Sequence, residues 1–173
     1  MSDFTTEELV KIEFELEESQ RLRGWIANSY ANVEFMLGDL IVRCRQFPIY
    51  DALTKTMPHD ATKRIRRVRQ ILEIDGALSP YAAGLEDLLA NFELRHETRN
   101  LLAHGFATYH ITPEGDAGLT FEKWHRDSDR MDARLVRTFR LVDLAREQAD
   151  FVQLARRSLS LFYSIHTSLG WAK

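Results

Sequence analysis

The densest run of reactive side-chain types in this sequence is Leu94-Arg95-His96-Glu97-Thr98-Arg99-Asn100-Leu101-Leu102-Ala103-His104-Gly105. An arginine offers a permanently charged fork that matches phosphate and carboxylate oxygens. A histidine, with an ordinary pKa near 6.5, can take or give a proton near neutrality. An asparagine beside them can hold a substrate or orient the imidazole. On a regular helix Arg99 and His104 point about 140° apart. They converge more easily where the helix ends or distorts, which Gly105 permits. His96 shares a face with Arg99 and with Asn100 without any distortion. The competing reading is a helix-end pair that caps carbonyls and binds carboxylates.

Two further features carry charge where charge needs a reason. Tyr30, Glu34, Leu37 and Ile41 share one helical stripe, which puts Glu34 at the edge of a buried face. A carboxylate there needs a partner, and Arg99 or His104 would satisfy it; a salt bridge that only holds the helices together is the plainer alternative. Lys63, Arg64, Arg66, Arg67 and Arg69 form a concentrated cationic run. Such a run can track a nucleic-acid backbone or simply form a solvated helix face. His59, His110, His125 and His166 are scattered. Asp127 and Asp129 beside His125 read as a polar loop, and Trp25, Trp124 and Trp171 as packing residues. The sequence has no Gly-rich phosphate loop, no Cys/His zinc pattern and no nucleophile elbow, so neither a metal nor a cofactor is expected.

The elements that must position these residues are mostly helices. Thr5 or Thr6 can cap a helix with Glu7 and Glu8 in its first turn and Leu9, Ile12, Phe14 and Leu16 on its apolar face. A second stripe, Leu22, Ile26, Tyr30, Val33, Leu37, Leu40, Ile41 and Cys44, runs to Gln46 and stops before Pro48; Gly24 is a candidate junction. Pro48 to Pro58 reads as a connection with a turn of helix at Asp51–Lys55. Asp60 caps a third helix with Ile65, Val68 and Leu72 inward, closed by Gly76. Ser79-Pro80 opens a fourth, from Pro80 to Ala103, that carries the reactive run. Residues 106–140 break the helical pattern. Ala107–Ile111 and Leu119–Trp124 flank turn chemistry at residues 113–118 and read as a β-hairpin, to which Leu135–Leu141 adds a third short strand. Asp143 then caps a last helix to Leu169 with Ala149, Val152, Ala155, Leu159, Phe162 and Ile165 as its stripe.

The expected fold class is therefore all-α: an up-and-down bundle of roughly four to five helices, one domain over residues 1–173, with 106–140 a small hairpin insertion before the last helix. At 173 residues the chain has room for one domain with a real core. Hydrophobic residues at 45% and charged residues at 28% are ordinary for globular chains and exclude disordered and fibrous classes. The net charge of −3 excludes a generally basic coat, so any nucleic-acid contact must be a local patch. Cys44 is the single cysteine, which rules out a disulfide within one chain and suits a reducing compartment. The acidic start lacks an apolar leader core and no window resembles a membrane span, so a cytoplasmic protein away from membranes is expected.

Arg99-Asn100-Leu101-Leu102-Ala103-His104 resembles the signature of HEPN domains (higher eukaryotes and prokaryotes nucleotide-binding), in which an arginine and a polar residue are followed, after a short spacer, by a histidine. A long second helix with an acidic residue and a long closing helix are similar too. The resemblance covers a short motif and, more loosely, the helical plan; the hairpin is an addition to the basic family pattern. It implies a helical bundle with the motif late in a long helix, and RNA binding or metal-independent endoribonuclease activity in an effector of toxin or defence type. It further implies a homodimer with facing motifs and an antitoxin protein as a partner. In such a site Arg99 would stabilise the phosphate charge, His104 would move protons and Asn100 would orient, with Glu34 and His96 in support. A helical dimerisation module, in which the motif is structural, is the alternative from a different class.

Overall fold

Thr5 starts the first helix by a reciprocal cap. In a computed structural model of the chain, its hydroxyl accepts from the Glu8 N–H at 3.3 Å and the Glu8 carboxylate accepts from the Thr5 N–H at 2.7 Å. The structure describes residues 5–111, 117–124 and 134–171. Helix α1 spans Thr6–Arg43. Gly24 is therefore a position inside one helix, not a junction. After single-turn 3-10 segments at Cys44–Gln46 and Pro48–Tyr50 come α2 (Asp51–Thr54) and α3 (Ala61–Leu72). A further 3-10 turn, Ser79–Tyr81, leads into α4 (Ala82–Leu94) and α5 (His96–His104). Strands β1 (Phe106–Ile111), β2 (Ala117–Trp124) and β3 (Arg134–Arg140) precede α6 (Leu141–Ser168). The class is an all-α bundle of about five helices with a small three-stranded antiparallel sheet inserted before the last helix.

The chain divides into two compact units, Met1–Ala27 with Glu97–Asp150, and Asn28–His96 with Phe151–Lys173. In the first unit the sheet order is β1-β2-β3, with Phe106 opposite Glu122 and Glu122 opposite Val136. Period-two alternation buries Leu119, Phe121 and Phe139 on one face, and Phe121 meets Phe139 edge-on at 5.8 Å. Phe106, Trp124 and Val136 stay exposed on the other face. Leu22, Ile26, Leu101, Leu102 and Leu144 are buried apolar helical residues of this unit. The expected apolar face at the start of α1 is only partly covered: Ile12 and Leu16 are half-buried, Leu9 and Phe14 are exposed, and full burial along the helix begins at Ser19 and Leu22.

In the second unit the predicted stripe of α1 is buried throughout, from Tyr30 through Val33, Leu37, Leu40 and Ile41 to Cys44. The Asp60 side chain caps α3 by accepting from the Lys63 N–H at 2.8 Å. Three expectations need correction. The single helix from Pro80 to Ala103 is two, because Arg95 sits at φ −92°, ψ −3° and its N–H turns back to Phe92 O. Ser79 is committed to the preceding turn, accepting from Gly76 N–H and donating to Asp75, so α4 begins after it. The stripe of α6 follows the expected positions at Phe162 and Ile165, but before them it lies one residue away: Phe151, Leu154 and Ser158 are buried, while Leu159 is 64% exposed. A polar residue hid that phase. Ser158 lies in the core because its hydroxyl donates to Leu154 O at 2.8 Å within the helix. Asp143, in turn, sits in the first turn of α6 and accepts from the Arg140 N–H at 3.2 Å.

Candidate functional site

Helix α5 carries the motif and remains helical through its last residue. The Gly105 N–H donates to Leu101 O at 2.7 Å, closing the final turn without unwinding it. A glycine is required there by close approach: a Cβ would stand 2.5 Å from Leu101 O and 3.3 Å from Leu101 Cδ1. Because the helix holds to His104, Arg99 and His104 keep their separation of about 140° around the axis. Local distortion does not bring them together. His104 is exposed, at the free end of the helix. Arg99 is half-buried and donates from Nη1 to Asn100 Oδ1 at 2.8 Å. These neighbours make one polar group, in which the amide oxygen fixes the guanidinium.

Two other arginines dock on α5. Arg23, from α1, donates from Nε and Nη2 to Leu102 O at 3.0 and 2.7 Å, with its guanidinium carbon 4.9 Å from the centre of the Phe121 ring. It thereby satisfies a carbonyl that the helix end leaves open. Burial lowers the Arg23 pKa. Arg137, from β3, donates to the hydroxyl of buried Thr98 at 3.0 Å. Neither residue was singled out in the sequence, because neither lies near the motif along the chain. Tyr109 donates its hydroxyl to Glu15 Oε2 at 2.6 Å, and burial together with that carboxylate raises its pKa.

The remaining candidates lie in the second unit. His96 Nδ1 is 2.5 Å from the hydroxyl of fully buried Tyr30, whose ring stacks on Phe92 at 4.2 Å. Glu34 finds its cation in the basic run: Arg64 Nη1 is 3.5 Å from its carboxylate and donates to its backbone carbonyl at 3.0 Å. Most of that run is engaged in holding the fold. Lys63 pairs with Asp60 at 3.1 Å, and Arg67 donates to Leu53 O. Arg69 binds Glu86 at 3.3 Å and Glu93 at 2.9 Å. Arg66 is exposed. These pairings favour a structural face over a phosphate track. His125, Asp127 and Asp129 lie outside the described residues.

Among the described residues, no group of three or more His, Cys, Asp or Glu side chains is placed to hold a metal ion. No described helix is long and apolar enough to cross a membrane. No protein-family model, curated protein or solved structure matches the chain.

Proposed function

We propose that the chain is a HEPN-like, metal-independent endoribonuclease or RNA-binding effector of toxin or defence type, working in the cytoplasm as a homodimer and held in check by an antitoxin protein. The observation that carries this reading is the presence, on one helix, of an exposed terminal His104 and an Arg99 guanidinium oriented by Asn100. Arg23 from α1 and Arg137 from β3, both docked on that helix, add local positive charge to a chain of net charge −3. In the reaction His104 takes the 2′-hydroxyl proton, the 2′-oxygen attacks phosphorus, and the bond to the 5′-oxygen breaks. The products are a 2′,3′-cyclic phosphate and a 5′-hydroxyl end. Arg99 meets the charge of the crowded phosphorane. The leaving oxygen needs a proton from a second acid. A single motif has one histidine, pointing away from its arginine, so a second copy supplies that proton in this reading.

The test is RNA cleavage in EDTA by the wild type, His104→Ala and Arg99→Ala, each first shown to be folded by circular dichroism. Cleavage by the wild type with cyclic-phosphate ends, falling at least about 100-fold in His104→Ala, is the expected result. Equal cleavage by wild type and His104→Ala, or none by any protein on a broad RNA panel, overturns the nuclease. One observation favours the second reading, a protein-interaction module: Leu9, Val10 and Phe14 near the start of α1 are all exposed.

A further inference from the structure

The outer face of the sheet, in the first unit, carries aromatic rings that the core does not use. Phe106 is 73% exposed, and Trp124, which the sequence presents as a packing residue, is 64% exposed. Period-two alternation and the register fix what surrounds them. Phe106 lies opposite Glu122, so Trp124, two residues further along β2, is its diagonal neighbour on the same face, about 7–8 Å away. Arg134 is the β3 partner of Trp124, with its guanidinium carbon 5.7 Å from the centre of the Trp124 ring. The next rows are polar. Thr108, Thr120 and Thr138 are in register, and Thr120 Oγ1 lies 2.9 Å from Thr138 Oγ1 and 3.4 Å from His110 Nδ1. A Cβ on Gly118 would stand 3.1 Å from His110 Cε1, so the imidazole lies against the glycine.

Charge, pattern and position together say what such a face takes. The described strands carry Lys123, Arg134, Arg137 and Arg140 against one carboxylate, Glu122, in a chain of net charge −3, which suits a polyanion. Glu122 is itself bound by Arg134 at 2.8 Å. It also stands between Phe106 and Val136, so the apolar groups do not merge into the continuous patch that a protein partner would bury. Separate π-faces among hydroxyls and cations suit unpaired bases, since any base can stack on a ring while a duplex keeps its bases inside. Phe106 follows His104 by two residues, so their Cα atoms lie within about 7 Å.

We infer that the outer face of the sheet is a platform for single-stranded RNA. Phe106 and Trp124 each stack one base, the cations of the strands meet phosphates, and the bound strand passes His104. This inference rests on the RNA reading of Arg99 and His104, and it names the substrate of that site as unpaired RNA.

The experiment is a fluorescence-anisotropy titration of the full chain against a short labelled 2′-O-methyl RNA, single-stranded or annealed to its complement. That probe lacks the 2′-hydroxyl nucleophile and stays intact. The wild type should bind the single strand at least about tenfold more tightly than the duplex. Phe106→Ala and Trp124→Ala, both shown to be folded by circular dichroism, should each weaken single-strand binding at least about fivefold, the loss of one stacked base. Phe106→Tyr keeps the ring and should bind like the wild type, whereas Phe106→Leu keeps only apolar bulk and should not. Equal binding of both RNAs, or unchanged affinity in both alanine variants, overturns the platform and leaves the RNA reading standing. A dimer in sedimentation that the alanine variants dissociate, with RNA affinity unchanged, overturns it in favour of a second copy of the chain. No binding of either RNA by the wild type also overturns the platform; if unmodified RNA is then left uncut, the RNA reading falls with it.

Discussion

Replacing Arg23 with alanine tests whether the end of the motif helix is held from outside. The guanidinium places two N–H groups on one carbonyl oxygen, at 3.0 and 2.7 Å, and lies over the Phe121 ring. A hydrogen bond from a charged group contributes about 1.5–3 kcal/mol, and a partly exposed cation–π contact about 0.5–1 kcal/mol. The fork shares one acceptor and counts once. Burial of the guanidinium, which also lowers its pKa, offsets part of the gain. Truncation should therefore destabilise by about 2 kcal/mol, which for a chain of this size lowers Tm by roughly 4–8 °C. Urea unfolding measures the first quantity and calorimetry the second. Arg23→Met keeps most of the stem and loses the donors, so it separates packing from hydrogen bonding. Amide exchange at Leu101–Gly105 should quicken in both variants as the last turn of α5 frays. If Arg23→Ala stays within about 0.5 kcal/mol of wild type, or Arg23→Met matches wild type, the cap argument fails.

Two other perturbations follow from the geometry. Gly105→Ala places a methyl group 2.5 Å from Leu101 O, so the helix end must shift; a loss of about 1–3 kcal/mol in urea unfolding is expected, and unchanged stability would contradict it. The pH dependence turns on His166, whose pKa is lowered by burial first and by Arg43 next, against the pull of Asp39. The unfolded chain then binds a proton that the folded chain refuses. Stability is full above the ordinary value near 6.5 and falls as pH drops below it towards the folded value. Urea unfolding from pH 7.5 to 5.5 in phosphate-free buffer should show that loss, and His166→Gln should reduce it; an identical slope in the variant removes His166 as its source.

What the sequence made legible was local. Helix caps depend on residues three positions apart, so Thr5 with Glu8 and Asp60 with Lys63 were readable from spacing. The α1 stripe was readable because Leu22, Ile26, Tyr30, Val33, Leu37, Leu40, Ile41 and Cys44 recur at helical spacing and are all buried. The hairpin was readable from period-two alternation around turn residues. The phase of α6 before Phe162 was not, since a buried serine satisfied by its own helix looks, in sequence, like a surface residue. Nor was the break at Arg95 visible, because arginine is a good helix former and nothing in the string marks its backbone angles.

The same division separates the motif's residues from their partners. Arg99 and Asn100 meet because they are neighbours, and His104 is exposed because a glycine ends its helix. Glu34 and Arg64 are thirty positions apart, and Arg23 and Leu102 seventy-nine. The cation that answers a half-buried carboxylate is set by which helices pack together, and any arginine in the sequence could have filled the role. Once Arg64, Arg67 and Arg69 are committed to Glu34, Leu53 and the Glu86–Glu93 pair, the basic run has little charge left for a partner. For the RNA contact we propose, positive charge must then be sought on α5 and the residues that dock on it. Neutralising exposed Arg66 should consequently alter RNA binding less than removing Arg99.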